Sequence, residues 1–321
     1  MIDSKPLVSI GMPVYNGEKY IRRALDSLLA QDYENFELLI SDNASTDRTR
    51  EICLEYAAKD KRIRYYCNDR NVGSVKNFNR LFDLSSGKYF MWAADHDLWH
   101  PTFISRCVSI LEEDPNVVLA YSRTMVIGPG GEELLLAPDR IDTRGMSAVR
   151  RYKLVIWNLY WCNMVYGVMR RQALNQTDRF RRDFGSDHVL LAELALRGTF
   201  AQVDAPLFYR REYRPEEEVL EVRKEKVLFA LDPLSAAERS KASFKDLYRE
   251  MRNAHLQMLR SAPIGFLGKM DAAIATLVCF DYRFGVRLIG RLSVKKKAKR
   301  LLSKRLERNM LSWLDGSRMN S

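Results

Sequence analysis

The 321-residue sequence is poor in cysteine and has no long apolar run. Its five cysteines are scattered, with no Cys-x-x-Cys pair, and an odd number of thiols cannot all pair with one another. This excludes a disulfide framework and predicts free thiols that serve mostly as packing residues. No stretch approaches the roughly 20 consecutive apolar residues that span a bilayer. The most hydrophobic late segment, 272–280, runs directly into Asp281 and Arg283.

The amino terminus, Met-Ile-Asp-Ser-Lys-Pro, lacks the basic segment, apolar core and small-residue cleavage site of a secretory signal. We therefore expect a protein that stays in the cytoplasm. The hydrophobic share of 46% and the charged share of 29% are ordinary for a folded protein. A chain of this length allows one large domain or two modest ones.

The net charge of +11 is concentrated at the carboxyl end of the chain. From Arg283 onward there are 12 basic residues against Glu307 and Asp315, which leaves +1 for everything before. Leucines and methionines recur in this tail at helical spacing between the lysines and arginines, so we predict a basic amphipathic helix suited to an anionic membrane surface. A helix packed on the rest of the protein and an oligomer contact are the open alternatives.

Strand and helix patterns alternate over the first hundred residues. Apolar runs of strand composition are followed by segments with apolar residues at helical spacing. This alternation predicts an α/β fold with a mostly parallel, Rossmann-like sheet flanked by helices. The predicted strands are 7–12, 36–40, 63–66, 88–93, 117–121, 200–203 and 207–209, and the predicted helices are 18–30, 48–59, 75–84, 102–113 and 189–196.

The composition changes near Glu216. Beyond it the chain is nearly all helical pattern with few glycines. We therefore expect two parts: an α/β domain over residues 1–215, and a helical C-terminal region over residues 216–321 that ends in the basic amphipathic tail.

Polar residues stand where the predicted strands give way to loops, and Asp95 and Asp97 follow the fourth strand. In open α/β sheets, ligands bind outside the carboxyl ends of strands. On an extended chain these two aspartates point the same way and His96 is turned aside. Two convergent carboxylates suit a hard divalent cation that bridges phosphate oxygens. His96 is expected to face away from them and His100, before Pro101, suits an exposed turn, so neither is expected to be a ligand. An acidic turn that ends a strand is the alternative.

Four motifs, taken in their order and spacing, resemble those of family 2 glycosyltransferases with the GT-A fold. The likeness covers about residues 7–211, and it implies that a nucleoside diphosphate sugar lies across the ends of the first four strands. It also makes residues 1–215 the catalytic domain. The motifs are Pro13-Val14-Tyr15-Asn16-Gly17, Ser41-Asp42-Asn43-Ala44-Ser45-Thr46-Asp47, Asn71-Val72-Gly73 and Asp95-His96-Asp97.

The resemblance implies that Pro13, Tyr15 and Asn16 form the loop against the base and ribose of the donor. Asp42 would accept hydrogen bonds from the nucleobase, uracil in the commonest case. A buried loop aromatic is the alternative for Tyr15, and a solvated turn acid is the alternative for Asp42. Asp47 is expected to cap the following helix, with or without a contact to the ligand.

The basic-Asn pair that approaches the diphosphate or sugar in such enzymes is matched here by Lys76 and Asn77, although Lys76 reads equally as an exposed helix lysine. Asp97 would hold Mg²⁺ or Mn²⁺ on the diphosphate, with Asp95 reaching the ribose or a metal-bound water. The cation would stabilise the charge that builds on the departing nucleoside diphosphate.

The sequence departs from the family at Glu212, because Tyr209-Arg210-Arg211-Glu212 stands where many relatives have Tyr-Arg-x-His. Two roles stay open for Glu212: it binds the cation, or it holds Arg210 or Arg211 on the phosphates.

Asp187 stands where the family carries a Glu-Asp pair that opens a helix, with Ser186 in place of the Glu. The resemblance makes Asp187 the general base that takes the proton from the acceptor hydroxyl, which gives single displacement with inversion. A helix cap is the alternative. Four aromatic residues lie where the family builds its acceptor site, with core packing as the alternative: Trp157, Tyr160, Trp161 and Tyr166.

We therefore expect an inverting, metal-dependent transferase of the hexosyl type. Its donor is a nucleotide sugar, with a UDP-sugar favoured, and its acceptor is a polysaccharide, an oligosaccharide or a lipid-linked glycan. It is expected in the cytoplasm, with attachment to the inner face of the membrane through the tail, and an oligomer is open. A nucleotidyltransferase is the nearest alternative, but residues 11–17 lack its glycine-rich basic loop. A nucleic-acid-binding protein is disfavoured, because aromatics are not interleaved with the tail lysines.

Overall fold

A computed structural model describes residues 6–159, 161–212, 233 and 236–286. Tyr160 and the basic tail lie outside the described residues, and so does most of the first part of the predicted C-terminal region. The structure therefore does not test the predictions made for Tyr160 and for the basic tail.

The strands of the described residues join in one sheet in the order β3-β2-β1-β4-β8-β6-β9-β5, with β7 paired to β6. The helices cover both of its faces. The strands are β1 (Val8–Val14), β2 (Phe36–Asp42), β3 (Ile63–Cys67), β4 (Tyr89–Trp92), β5 (Leu98–Trp99), β6 (Val117–Ile127), β7 (Glu133–Leu136), β8 (Val168–Arg170) and β9 (Thr199–Arg211).

The helices lie close to the predicted segments, with additional ones in the second half of the chain. A short 3-10 helix (Asn163–Tyr166) precedes β8. The α-helices are α1 (Ile21–Leu29), α2 (Thr49–Lys59), α3 (Ser74–Leu84), α4 (Phe103–Glu113), α5 (Ala148–Asn158), α6 (Arg171–Leu174), α7 (Ser186–Arg197), α8 (Ala236–Arg239), α9 (Phe244–Ser261) and α10 (Phe266–Phe284).

The first four strands form a parallel array, as predicted. β1 pairs in parallel with β2 and β4, and β2 pairs in parallel with β3. Every residue of β1, β2 and β4 is buried, because helices cover both faces. This explains why these strands read as continuous apolar runs rather than alternating ones. The α/β fold class is confirmed.

The second half of the sheet is mixed, so the predicted, mostly parallel sheet also contains short antiparallel pairings. β8 runs antiparallel to both β4 and β6, and β5 runs antiparallel to β9. Only β6 and β9 pair in parallel there. Strands of two or three residues, such as β5 and β8, are too short to carry a period that local sequence reasoning could detect.

The two short strands predicted at 200–203 and 207–209 are one continuous strand, β9. Its pairing with β6 shifts register at Arg123, which lies opposite Pro206. Proline cannot donate to a sheet ladder and is tolerated at such an irregularity. The bulge therefore lets the chain continue to Arg211, at the edge where the polar strand ends gather.

Alternate strand residues point into two cores on opposite faces of the sheet. Leu38 and Met91 belong to the core beneath α1, α2 and α4, whereas Leu39 and Phe90 belong to the core beneath α5, α7, α9 and α10. The first compact unit extends to Val286. The predicted boundary at residue 215 thus falls inside this unit, because α9 and α10 bury apolar residues in the second core.

Candidate active site

The loop after β1 is bound to the loop after β2. The backbone N–H of Asn16 donates to Ser45 Oγ at 2.9 Å, and Asn16 Oδ1 accepts from the backbone N–H of Thr46 at 2.9 Å. Pro13 is buried within β1. Tyr15 is 45% exposed, so its ring lies open to solvent at the edge of the sheet rather than in the core.

Asp47 satisfies the first backbone N–H of α2, although Arg48 and not Asp47 stands at the N-cap position. Its Oδ1 accepts from the backbone N–H of Thr49 at 3.0 Å, and its Oδ2 accepts from the backbone N–H of Glu18 at 3.1 Å. The two carboxylate oxygens therefore hydrogen-bond to the loop after β1 and to the start of α2. Burial alone would raise the pKa of Asp47, but these hydrogen bonds outweigh it and lower that pKa.

Asp42 is buried at the carboxyl end of β2. Its Oδ1 accepts from the backbone N–H of Ser45 at 2.8 Å, and its Oδ2 accepts from the hydroxyl of Tyr65 at 2.6 Å. Burial, followed by the Asp42 carboxylate, raises the pKa of Tyr65 well above its ordinary value. Asp42 is thus held rigidly in one orientation.

Asn77 is buried and hydrogen-bonded to the end of β2. Its Oδ1 accepts from Ser41 Oγ at 2.6 Å and from Asn68 Nδ2 at 3.0 Å, and its Nδ2 donates to the carbonyl of Ser41 at 2.8 Å. Asn68 also donates to Asn43 Oδ1 at 3.0 Å. This asparagine network fixes the loops after β2 and β3, while the neighbouring Lys76 is exposed. Sequence reasoning did not foresee the network, because its members are far apart in the chain.

The segment Asp95-His96-Asp97 forms a turn, so the expected alternation of its side chains is wrong. His96 Nδ1 lies 2.9 Å from Asp95 Oδ1, and His96 Nε2 lies 3.8 Å from Asp97 Oδ1. His96 therefore faces both acids instead of turning aside. Burial disfavours its charge, but the two carboxylates outweigh burial and raise the pKa of His96.

Asp97 is buried against the end of β9. Its Oδ1 accepts from the backbone N–H of Arg211 at 2.7 Å. Burial raises its pKa, opposed by His96, by that N–H and by Arg210. Asp95 lies nearer the first loop, because a β-carbon added at Gly17 would overlap its carboxylate.

Arg211 is buried and holds backbone groups together. Its Nε donates to the carbonyl of His96 at 2.9 Å, and its Nη1 donates to the carbonyls of Gly128 at 2.9 Å and Pro129 at 3.0 Å. The guanidinium thus binds the turn after β4 to the turn between β6 and β7. Glu212 extends the pairing of β9 through its N–H, which donates to the carbonyl of Ile127 at 2.8 Å.

Unlike Arg211, which contacts backbone carbonyls, Arg210 contacts the side chains of Asn163 and Trp161. Its Nη1 donates to Asn163 Oδ1 at 3.1 Å, and its guanidinium lies over the ring of Trp161, 5.2 Å from the centroid. Asn163 Nδ2 in turn donates to Asp139 Oδ2 at 3.1 Å. Asp139 is buried, and its other oxygen has no hydrogen-bond partner among the described residues. Burial raises the pKa of Asp139, with Arg210 opposing.

Sequence reasoning missed Asp139 altogether. It lies in the irregular segment after β7, where no periodic pattern or family motif marks it.

Asp187 lies in the first turn of α7. The preceding Gly185 has φ of 71°, a backbone conformation that glycine adopts readily. The Asp187 carboxylate accepts from the backbone N–H of His188 at 2.8 Å and from the thiol of Cys162. Burial raises its pKa, and Arg210 opposes this. A carboxylate with a raised pKa is a stronger base than an ordinary surface aspartate.

The buried Cys53 and the partly buried Tyr166 are each close to several of the acids. Burial raises the pKa of Cys53 to about 12, and the charges of Asp42, Asp95 and Asp47 contribute in that order.

Burial likewise raises the pKa of Tyr166, to which Asp97, Asp187 and Asp95 contribute while Arg210 opposes. Asp95 acts on both groups, so its carboxylate is close to each of them. Acids that are far apart in the sequence thus gather at one place.

The four aromatic residues expected at the acceptor site fall in different places. Trp157 packs against Tyr282, with ring centroids 5.8 Å apart, and Tyr166 packs against Phe208 at 5.5 Å. Trp161 is 40% exposed beneath Arg210. Packing against other rings therefore accounts for Trp157 and Tyr166, although Tyr166 is also close to Asp97 and Asp187, and Trp161 contacts the cation beside these acids.

The described residues contain no group of three or more His, Cys, Asp or Glu side chains that could hold a metal ion. Asp95 and Asp97 supply two carboxylates, so a cation held there would need further ligands from a bound diphosphate or from water. Over the described part of the chain, no helix combines the length and the apolar character needed to cross a membrane.

A family model described as glycosyl transferase family 2 matches residues 9–178. An uncharacterized glycosyltransferase of Rickettsia typhi is 32% identical over 162 residues, which cover 50% of each chain. One of Haemophilus influenzae is 32% identical over 126 residues, or 39% of each chain. This chain spans about half or less of the length of these curated relatives.

Among solved structures, S. aureus TarS in complex with UDP-GlcNAc matches with a TM-score of 0.64 and 18% identity, covering 91% of this chain and 77% of that one. The mannosyltransferase PcManGT from Pyrobaculum calidifontis, in complex with GDP-Man and Mn²⁺, matches with a TM-score of 0.50 and 18% identity, covering 96% and 81%. At this identity the likeness concerns the fold, and it confirms the predicted GT-A architecture.

Proposed function

The chain belongs to glycosyl transferase family 2, and we propose that it is an inverting enzyme that moves a sugar from a UDP-sugar to a hydroxyl group. The acceptor is a polysaccharide, an oligosaccharide or a lipid-linked glycan. The observation that carries the proposal is the gathering of Asp42, Asp95, Asp97 and Asp187 with Arg210 at one edge of the sheet.

The donor would lie across the ends of β1, β2 and β4. The exposed ring of Tyr15 would face the base, and the rigidly held carboxylate of Asp42 has further lone pairs to accept from a base N–H. Lys76 and Arg210 would offset the charge of the diphosphate, since Lys76 is exposed and Arg210 borders the acids. Binding of UDP-GlcNAc by TarS and of GDP-Man by PcManGT supports a nucleotide-sugar donor.

Asp187 would act as the base. Its raised pKa suits removal of a proton from the acceptor hydroxyl as the oxygen attacks the anomeric carbon. The bond between that carbon and the phosphate oxygen breaks on the opposite face, and the electron pair leaves with the nucleoside diphosphate. One displacement of this kind inverts the anomeric centre.

Mg²⁺ or Mn²⁺ held by Asp97 and Asp95 would supply positive charge for the departing diphosphate. The Mn²⁺ of PcManGT supports this assignment. His96 would interact electrostatically with the same two carboxylates, because its two ring nitrogens lie 2.9 Å from Asp95 Oδ1 and 3.8 Å from Asp97 Oδ1.

The cytoplasmic location and the attachment of the basic tail to the inner face of the membrane remain predictions from the sequence. Family membership argues against the two alternatives, a nucleotidyltransferase and a nucleic-acid-binding protein.

The test is turnover by the purified protein with a panel of UDP-sugars, Mn²⁺ and glycan acceptors. We expect Asp97→Ala and Asp187→Ala to abolish most of the activity. The matched control is Asp204→Ala, since the Asp204 side chain is 82% exposed, and it should behave as wild type. The anomeric configuration of the product, measured by NMR, should be opposite to that of the donor. Equal turnover in all four proteins, or a product with retained configuration, would overturn the proposal.

A further inference from the structure

Asp139, Asn163 and Arg210 form a set of hydrogen bonds that we name the Asp139 network. Arg210 Nη1 donates to Asn163 Oδ1 at 3.1 Å, and Asn163 Nδ2 donates to Asp139 Oδ2 at 3.1 Å. Asp139 and Asn163 are 5% and 4% exposed, so water competes little for these hydrogen bonds. A neutral amide therefore connects a buried carboxylate to the cation of the candidate active site.

The two ends of the network select one orientation of the Asn163 amide. A guanidinium only donates hydrogen bonds, so Asn163 must present its oxygen to Arg210. A carboxylate accepts them, so Asn163 must present its nitrogen to Asp139. Without an acceptor at residue 139, the amide could rotate by half a turn and bring its NH₂ group towards the guanidinium. Asp139 thus fixes the amide orientation that binds Arg210.

The backbone around Asp139 is anchored to the sheet. The Asp139 carbonyl accepts from Gln202 Nε2 at 2.9 Å, and Gln202 lies on β9, the strand that also carries Arg210. Two residues further on, the Tyr121 hydroxyl accepts from the backbone N–H of Ile141 at 2.8 Å and donates to the Ile141 carbonyl at 2.9 Å. The irregular segment after β7 therefore holds the carboxylate in one place.

Stability alone does not account for a carboxylate at residue 139. Asp139 Oδ1 is buried without a hydrogen-bond partner among the described residues. Burying a carboxylate that is only partly hydrogen-bonded costs free energy of folding, and a neutral side chain of similar size would avoid that cost. Proteins accept such costs chiefly at functional sites. The benefit of Asp139 therefore lies in the group that it orients, which is Arg210.

Arg210 lies beside the acids proposed to act in the reaction. Its charge opposes the rise in pKa that burial causes at Asp97 and at Asp187. The residue before Asn163, Cys162, has φ of 54° and hydrogen-bonds through its thiol to Asp187. A non-glycine residue in this left-handed region is uncommon and marks a constrained backbone. Consecutive side chains of one constrained turn thus contact the proposed base and the proposed diphosphate-binding cation.

We propose that Asp139 and Asn163 are positioning residues for Arg210, and that they hold its guanidinium where it meets the diphosphate of the donor. This inference rests on the function proposed above. The ring of Trp161 confines the guanidinium further, with its centroid 5.2 Å from the cation. A cation held between an amide and a ring loses less conformational freedom when it binds a phosphate oxygen, so the donor binds more tightly.

The first test measures Trp161 fluorescence in the full chain without ligand. Asp139→Ala removes the acceptor, so the guanidinium should leave the ring and the emission should change. Because the protein has five tryptophans, Trp161→Phe provides the reference, and Asp139→Ala should leave the emission unchanged in that background. Asp139→Asn keeps an oxygen for Asn163 Nδ2 and should retain the wild-type emission. The matched control is Asp142→Ala in the same segment, whose carboxylate binds Arg144 instead.

The second test compares the binding of UDP and of uridine by calorimetry in the presence of Mn²⁺. Asp139→Ala and Asn163→Ala should each weaken UDP binding about 5- to 10-fold, the effect of losing one hydrogen bond. Uridine binding should be unchanged, since uridine has no diphosphate. In an Arg210→Ala background neither substitution should weaken UDP binding further, because residues that act through one group have non-additive effects.

Thermal melting separates this role from a structural one. Asp139→Asn should melt at the wild-type temperature or above it, because a desolvated carboxylate is replaced by a neutral amide. If Asp139→Ala does not fold, Asn163→Ala removes the same contact to Arg210 and gives the same two readouts.

Three results would overturn the proposal. They are an unchanged emission in both alanine variants, an equal loss of UDP and uridine binding, and a further loss of UDP binding in the Arg210→Ala background. A wild type that binds neither UDP nor uridine would contradict the proposed UDP-sugar donor instead. The fluorescence result would still decide whether Asp139 holds Arg210.

Discussion

Two consecutive residues of α7 face two polar clusters of opposite character. Asp187 points to what we call the cleft cluster, which consists of Asp95, Asp97, Asp139, Asp187 and Arg210. His188 points to the histidine cluster, which consists of His188, His255, Tyr152 and Thr276. Both clusters are largely removed from water, but the first is charged and the second is neutral.

The histidine cluster joins four helices. His188 Nδ1 lies 2.9 Å from His255 Nε2, and His255 Nδ1 lies 3.3 Å from the hydroxyl of Tyr152. That hydroxyl lies 2.6 Å from Thr276 Oγ1. The four residues come from α7, α9, α5 and α10, so a chain of neutral hydrogen bonds runs through the core where the C-terminal helices meet.

The difference between the clusters follows from their counter-charges. Burial lowers the pKa of His188 to about 3 and lowers that of His255 well below its ordinary value. Both imidazoles stay neutral and hydrogen-bond within the cluster, although the buried Nε2 of His188 has no hydrogen-bond partner among the described residues. In the cleft, burial raises the pKa of Asp97 and Asp187, but Arg210 opposes the shift. A charged, incompletely neutralised group of acids suits ligand binding, whereas a chain of neutral hydrogen-bonded side chains suits helix packing.

The largest effect expected to separate the two clusters is on turnover. Asp187→Asn keeps the shape but removes the base, so kcat should fall about 10³-fold, within the range for loss of general-base catalysis. The melting temperature should stay the same or rise, because a desolvated carboxylate is replaced by a neutral amide. Steady-state kinetics and thermal melting would check both outcomes, with Asp204→Asn as control. Loss of stability in place of activity would make Asp187 a structural residue.

How much of this could be read from the sequence depends on how local each feature is. The helices from α1 to α4 have a clear apolar period, and the strands from β1 to β4 are short apolar or β-branched runs bounded by turn residues, so the pattern located both closely. The motifs then marked Asp42, Asp95, Asp97 and Asp187 by position alone.

The rest depends on contacts between distant segments. Nothing near His188 in the sequence indicates that its partner is His255, 67 residues later. The orientation of His96 depends on a turn where an extended chain was expected, and Asp139 enters the cleft cluster through Asn163 and Arg210. Such contacts are fixed by tertiary packing and leave no local period.

The next largest effect concerns the stability of the histidine cluster. His255→Phe removes the partner of His188 Nδ1 and leaves a buried polar atom without a hydrogen bond. We expect a loss of about 2–3 kcal/mol in the free energy of unfolding, measured by urea denaturation at pH 7.5. The Michaelis constant for the donor should be unchanged while the protein is folded. A tenfold increase in that Michaelis constant would show that the histidine cluster affects donor binding, and it would contradict the purely structural role assigned to the cluster.

The pH dependence of stability should have opposite signs in the two clusters. Between pH 6.5 and about 3, unfolded His188 binds a proton that the folded residue does not, so it makes stability fall as pH falls. His255 acts in the same direction. The pKa values of His96, Asp97 and Asp187 are raised on folding, so these groups contribute stability at low pH that is lost as pH rises.

The His255→Phe variant isolates one of these contributions. The difference in unfolding free energy between the wild type and this variant should become smaller below pH 6.5, by up to about 1.4 kcal/mol per pH unit. The reason is that the buried His255 imidazole makes the wild type lose stability as the pH falls, whereas the variant has no imidazole at this position. Urea denaturation of both proteins at pH 7.5, 6.5 and 5.5 would measure the difference. A cost that is constant over this range would mean that His255 is protonated in the folded protein.

The smallest expected effect comes from Arg210, the cation of the cleft cluster. Arg210→Lys keeps the charge but loses the planar group that lies over Trp161 and binds Asn163 Oδ1. We expect kcat/KM for the donor to fall about 5- to 10-fold, or about 1–1.4 kcal/mol, with little change in melting temperature. Trp161 fluorescence should also change, because the cation leaves its ring. Arg150→Lys, on the exposed surface of α5, should alter neither the kinetics nor the fluorescence.

A fluorescence change without a kinetic effect would confirm the contact between Arg210 and Trp161 but would contradict a role of Arg210 in donor binding. The charge of the cleft cluster would then have to be balanced by the cation that Asp97 and Asp95 are proposed to bind.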